Sequence, residues 1–295
     1  MKLLITGGNG QLGKELQEVL RNGGTDIGEI PALYREADVT AVDVDVLDIT
    51  DRDATLAFIE TLRPDVIFNC AAYTQVDACE ENEAIADKVN ADGVRHLAEA
   101  AEAVGAKLVH VSTDYVFDGK GRSPYGEDDA VAPATAYGRT KVRGEQAALA
   151  ACSRTYVLRT AWLYGPYGPN FVKTMLRLGS TRESVTVVND QVGSPTYTAD
   201  LAWTMLAVAT TEVYGIYHVT GGGQCSWFQF ATAIMQKANN GCRVLPCTSA
   251  EYPSKTPRPA YSVLGHGRLQ AVGLDRMRPW EEALDSYFKR TEEMV

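Results

Sequence analysis

Along the first 160 or so residues, short apolar runs alternate with longer stretches in which apolar positions return every three or four residues. The runs Lys2–Thr6, Val39–Asp43, Asp65–Asn69, Lys107–Ser112 and Thr155–Thr160 read as buried strands. Gln11–Leu20, Arg52–Leu62, Glu83–Val104 and Thr135–Ala151 carry the helical period. Repeated strand–helix units need crossover connections, so the strands should be parallel and covered by helices on both faces. The expected fold class is α/β, a doubly wound parallel sheet of the Rossmann type. Gly23 to Ala37 reads as a loop insertion.

Past residue 164 the rhythm loosens in the turn-rich run Tyr164-Gly165-Pro166-Tyr167-Gly168-Pro169-Asn170. Thr198–Thr210 reads as a helix and Gly215–Val219 as a strand able to rejoin the sheet. The expected organisation is a dinucleotide-binding domain over 1–164, with 198–220 returning to it. A smaller substrate-binding lobe would be built from 165–197 and 221–295.

Composition narrows the partners. The chain has 295 residues, 28 Lys+Arg against 38 Asp+Glu and a net charge of -10, a field that repels polyphosphate, so no nucleic-acid partner is expected. The apolar run after Met1-Lys2 stops at glycines, too short for a signal peptide or a membrane span, and the protein is expected in the cytoplasm with no membrane partner. The six cysteines form no CxxC, and His96, His110, His218 and His266 are scattered, so no metal site is assigned. His110 and His218 lie in apolar runs and read as structural.

Two places carry candidate chemistry. Gly7, Gly10 and Gly13 follow a strand and open a helix, the context in which glycines let the backbone approach a pyrophosphate at a helix N-terminus. Asp43 closes the second strand, where an acid can bind ribose hydroxyls; Asp45 and Asp48 add charge unfavourable to a 2′-phosphate, which leans toward NADH. A solvated acidic loop is the alternative. Tyr137-Gly138-Arg139-Thr140-Lys141 is a YxxxK at a helix start, with both side chains on one face. A lysine ammonium beside the phenol would lower its pKa from about 10, and Tyr137 could then exchange a proton with a carbonyl or alcohol oxygen. Thr113, in Ser112-Thr113-Asp114-Tyr115 at a strand end, would offer a hydroxyl to the same oxygen.

TGGNGQLG, the NCAA at 69–72, STDYVFDG and YGRTK fall in this order on the expected elements. On these motifs the chain resembles the extended short-chain dehydrogenase/reductase family along nearly its whole length. RTAWLYG, NFVKTMLRL and VVNDQVGSPT are similar to the dTDP-4-dehydrorhamnose reductase branch of it. The resemblance implies reduction of the C4 keto group of dTDP-4-dehydro-β-L-rhamnose by NADPH or NADH, with Tyr137, Lys141 and Thr113 as catalytic residues. It implies cofactor contacts from Gly7, Gly10, Gln11, Leu12, Gly13, Asp43, Asp48, Ile49, Ala72, Tyr73, Thr74 and Val111, besides Tyr137 and Lys141. Thr113, Asp114, Trp162, Asn189, Gln191 and Arg258 would face a dTDP-sugar, with Gly193, Pro195 and Thr196 alongside.

Trp162 also reads as a core aromatic, the 187–196 run as a plain turn, and Arg258 as a surface arginine. Dehydratases of this fold carry Glu after the Asp; Tyr115 stands there, which disfavours elimination of water. Some relatives form a dimer around magnesium held by glutamates; Glu15 has such a position, but Asp190 stands where a second carboxylate is expected, so a homodimer is left open and metal unassigned. The alternatives are a 4-epimerase that retains NAD, and a non-catalytic subunit like the regulatory partner of methionine adenosyltransferase.

Overall fold

The computed structural model describes residues 1–293; the last two residues of the 221–295 segment lie outside it. Six strands form one sheet in the order Gly215–His218, Thr155–Thr160, Lys107–Thr113, Val66–Asn69, Lys2–Thr6, Asp38–Val42. Every pairing is parallel. The late strand Gly215–His218 occupies one edge, beside Thr155–Thr160. The sheet order reverses direction at the first strand, and in open parallel sheets ligands bind beyond the carboxyl ends of strands at such a switch point.

Successive residues of each strand go to opposite faces. Leu3, Ile5, Val66, Phe68 and Val109 enter one core with Leu201, Met205 and Leu206. Leu4, Ile67 and Leu108 enter another with Leu97, Ala101 and Ala148. Burial on both faces explains why these strands read as unbroken apolar runs.

The stretch 83–104 is helical but not regular. Glu83–Asp87 and Gly93–Val104 are α-helical, and Lys88–Asp92 between them is a π turn that carries the buried Asn90. The insertion at Gly23 to Ala37 holds a small hairpin, Gly24–Thr25 with Gly28–Glu29, and a 3-10 turn at Ala32–Tyr34. A further apolar cluster forms around Tyr164, Val172, Phe230, Trp280 and Tyr287. There Ser184–Val188 pairs in parallel with Arg243–Cys247, flanked by helices Phe171–Gly179 and Trp227–Ala238.

Candidate active site

The loop after the first strand is shaped by glycine. Gly7 has φ +68, and a Cβ there would lie 2.6 Å from the Ala71 nitrogen; a Cβ on Gly13 would lie 2.2 Å from the Gly7 carbonyl oxygen. The helix Gln11–Asn22 starts at Gly10, which offers no side-chain cap. Its first N–H groups are therefore free to meet an anion, with the partial positive charge of the helix end behind them. A cavity of about 330 Å³ opens here, lined by Thr6, Gly7, Gly10, Asp43, Asp48 and Ile49 on one side and by Cys70, Ala71, Ala72 and Tyr73 on another. No Lys or Arg lines it. Asp43 is tied to the loop: its Oδ2 accepts from the Asn9 N–H at 2.9 Å and its Oδ1 from its neighbour Val44 at 2.9 Å. Loop, uncapped helix end and carboxylate fit the pyrophosphate and ribose of a dinucleotide.

The other expected cofactor residues divide. Leu12 is buried in the core, so only its backbone can face a phosphate. Gln11 lies across to the second half of the chain, where its Oε1 accepts from Asn170 Nδ2 at 2.8 Å. Thr74 lines a different, larger cavity, and the Val111 carbonyl is already accepting a hydrogen bond from Lys141.

The helix Ala136–Ala151 presents Tyr137 and Lys141. Thr135 caps it by accepting from the Gly138 N–H at 3.1 Å, and a Cβ on Gly138 would sit 2.1 Å from the Tyr115 carbonyl oxygen, so the helix start is pressed against the segment after Thr113. Thr113, Asp114, Tyr137 and Lys141 are all buried. Thr113 Oγ1 donates to Asp114 Oδ1 at 2.9 Å. Asp114 Oδ2 has no partner, and burial pushes this carboxyl up to about 6, against hydrogen bonds from Ser262 and Thr113.

One expectation is corrected. Lys141 does not hold the Tyr137 phenol in its ionised form: its Nζ donates to the Val111 carbonyl at 2.7 Å and lies 3.4 Å from His110 Nε2. Burial pushes the Tyr137 phenol above its ordinary pKa, with only the Thr113 hydroxyl pulling it down. The phenol keeps its proton, as an acid must before it donates. Burial also brings Lys141 down to about 8, with Glu145 and Cys70 opposing.

The larger cavity, about 850 Å³, is bordered by Thr74, Asp114, Tyr115, Trp162, Gln191 and Arg258. Trp162 sits at φ +48 and stacks on Trp227 with ring centroids 3.5 Å apart. A Cβ on Gly193 would lie 2.4 Å from the Trp162 ring, so Gly193 leaves room for the indole. Arg258 reaches across to Asp77, with Nη2 2.9 Å from Oδ1. Asn189 is turned to structural use: its Oδ1 accepts from Ser226 Oγ at 2.6 Å, and it is not among the cavity-lining residues. Thr196 is likewise engaged, accepting from the Gly221 N–H.

Residues that the sequence did not single out complete the site. Ser262 lines the same cavity as Asp114 and, by the direction of its effect, pulls the Asp114 carboxyl down against burial. Asn90 clamps Tyr73, accepting from its N–H at 2.8 Å and donating to its carbonyl at 3.0 Å, and also donates to Thr140. A polar residue in an otherwise apolar helix face was the available signal for Asn90; Ser262, in an irregular segment, offered none. Among the described residues no group of His, Cys, Asp and Glu is arranged to hold a metal ion. Glu15 is occupied by Arg290 at 2.5 Å and by Thr198 at 2.9 Å.

Known proteins place this geometry in a family. A dTDP-4-dehydrorhamnose reductase of Streptomyces griseus is 44% identical over 292 residues, covering 97% of this chain and 92% of its own. The crystal structure of a dTDP-4-dehydrorhamnose reductase from Clostridium acetobutylicum superposes with a TM-score of 0.93 at 45% identity, covering 99% of this chain and all of the other. That of the Bacillus anthracis dTDP-4-dehydrorhamnose reductase, in complex with NADP, gives 0.92 at 43% identity, with 98% and 99% covered. The sequence matches the family described as RmlD substrate binding domain over residues 1–293, and the chain belongs to that family.

Proposed function

We propose that the protein is an NAD(P)H-dependent oxidoreductase that reduces the C4 keto group of dTDP-4-dehydro-β-L-rhamnose to give dTDP-β-L-rhamnose. The carrying observation is that Thr113 and Tyr137 are both buried beside Asp114 and Tyr115, which line the larger cavity, with the Tyr137 ring 5.5 Å from that of Tyr115. The names of relatives alike over nearly their whole length support the same reaction.

The nicotinamide, when bound, supplies the hydride. Every other task falls to the protein's own groups. Residues 7–13 hold the pyrophosphate on backbone N–H groups, and Asp43 takes the adenosine ribose. Thr113 orients the ketone oxygen, and Tyr137 delivers its proton to that oxygen as negative charge develops there. Lys141 holds the nicotinamide ribose. Asp114, through its free Oδ2, and Trp162 meet the sugar, while Arg258 pairs with the substrate diphosphate once it leaves Asp77. In this reading 1–164 with 198–220 binds the cofactor, and 165–197 with 221–295 binds the sugar nucleotide. We place the reaction in the cytoplasm, where the six cysteines, all free in the structure, stay reduced. Among the described residues no helix is long and apolar enough to cross a membrane. Incubating the purified protein with the 4-keto sugar nucleotide and NADPH or NADH, and identifying the sugar formed, tests the assignment.

A further inference from the structure

The sheet carries a row of three buried polar side chains to which the proposed chemistry gives no task. Parallel register sets Thr6 beside Asn69 and Asn69 beside His110. Two residues earlier on the same strands the row is Leu4, Ile67 and Leu108, ordinary core. At the carboxyl ends, where the site begins, apolar side chains give way to groups that each cost about 1–3 kcal/mol if left unpaired.

Their hydrogen bonds fix each donor and acceptor. Asn69 Oδ1 accepts from Thr6 Oγ1 at 2.8 Å and from the Ala71 N–H at 3.1 Å. A backbone N–H can only donate, so the amide oxygen is fixed and Nδ2 faces His110 Nδ1 at 3.0 Å. Nδ1 therefore accepts, and the one proton of the neutral imidazole sits on Nε2. Burial, with Lys141 adding to it, keeps the ring neutral. Nε2 lies 3.4 Å from Lys141 Nζ.

We propose that His110 is a positioning residue that acts through Lys141, its ring turned by Asn69 so that an N–H, and not a lone pair, faces the lysine nitrogen. The inference rests on the reading of Lys141 as part of the reductive site. An N–H facing Nζ suits the neutral amine, whose lone pair can accept it, and opposes the ammonium, which has only protons to offer. Two other groups bear on Lys141: Glu145, one turn along its own helix, and Cys70, beyond the end of the Val66–Asn69 strand; both favour the ammonium. Glu145 is itself held by Arg159 in a bidentate pair and by Ser112. His110 thus withdraws support from a charge that Glu145 and Cys70 favour, and the rate should fall on the alkaline side as Lys141 loses its proton near pH 8, below the ordinary lysine range.

Two measurements test this. In protein labelled with nitrogen-15 histidine and observed without cofactor, the expected NMR signature of His110 is the neutral Nε2–H tautomer across the neutral pH range. An Nδ1–H tautomer or an imidazolium overturns the proposal, whatever the protein's activity. In His110→Leu, with folding checked by thermal melting, the alkaline limb of kcat should move up by about one pH unit while KM for the sugar nucleotide holds. A lower kcat with an unmoved limb overturns it, since that is what loss of packing alone would give. If the wild-type protein turns over no 4-keto sugar the proposed function fails, and the tautomer still decides the role of His110.

Discussion

Lys141 gives its close hydrogen bond to the Val111 carbonyl, 2.7 Å away, and none to the Tyr137 phenol, which burial pushes above its ordinary pKa. In the proposed reaction lysine and tyrosine thus have separate jobs, one anchored to the strand and one turned to the reacting oxygen. Tyr137→Phe removes the transferable proton and nothing else of that arrangement. It should lower kcat by about 10²–10⁴ and leave the dissociation constant of NADPH nearly unchanged, read by steady-state rates and a fluorescence titration. Lys141→Ala should lose both.

Asp114 keeps one carboxylate oxygen unpaired in a buried site, at a cost to the fold. Its carboxyl is pushed from 3.8 to about 6, so between those values the folded chain binds more protons than the unfolded one. The protection is whole below pH 4 and is lost as pH rises through 6. Asp114→Asn should therefore be more stable than wild type above pH 6, by about 1–2 kcal/mol, with the gain shrinking toward pH 4. Urea titrations at several pH values check this, and the same variant should bind the sugar nucleotide less well.

In the proposed reaction the Arg258–Asp77 pair competes with the substrate, because Arg258 lines the large cavity while already holding the Asp77 carboxylate. Arg258→Ala should raise KM for the sugar nucleotide about tenfold or more, the usual cost of a charged hydrogen bond, with NADPH affinity unchanged. Asp77→Asn should do the reverse. A half-exposed pair of this kind is worth about 0.2–1 kcal/mol, so KM should fall by up to about fivefold. Equal loss of sugar and cofactor affinity in Arg258→Ala would point to disturbed folding.

Asp43 both borders the adenosine cavity and ties down Asn9 in the glycine loop. Both cofactors should work in the wild-type protein, with less than about a thousandfold between them, roughly 4 kcal/mol. Asp43→Ala should shift the ratio of kcat/KM toward NADPH by relieving repulsion of the extra phosphate. It should also weaken both cofactors, because the loop loses its tether.

The parallel sheet was legible because its central strands, such as Lys2–Thr6, Val66–Asn69 and Lys107–Thr113, are buried on both faces, a pattern that local sequence carries directly. The glycine loop was legible for a similar reason: Gly7 and Gly13 sit where a Cβ would meet backbone within 2.6 and 2.2 Å. What sequence could not carry is register. Nothing in the order of residues sets Thr6, Asn69 and His110 side by side, so His110 read only as a histidine in an apolar run. The placement of Asn189 was hidden for a related reason: turn residues in the 187–196 run gave no sign that its amide oxygen would accept from Ser226, far along the chain. The expected effect of Lys141 on Tyr137 assumed that two side chains on one helix face must meet, and burial with a competing carbonyl decided otherwise.

The most direct test of reduction at C4 is to follow NADPH absorbance with the 4-keto sugar nucleotide made in situ, and to analyse the sugar by NMR. One NADPH should be oxidised for each dTDP-β-L-rhamnose formed, with Tyr137→Phe nearly inert. An altered sugar with no NADPH consumed, or tight sugar-nucleotide binding with no turnover, would contradict the account.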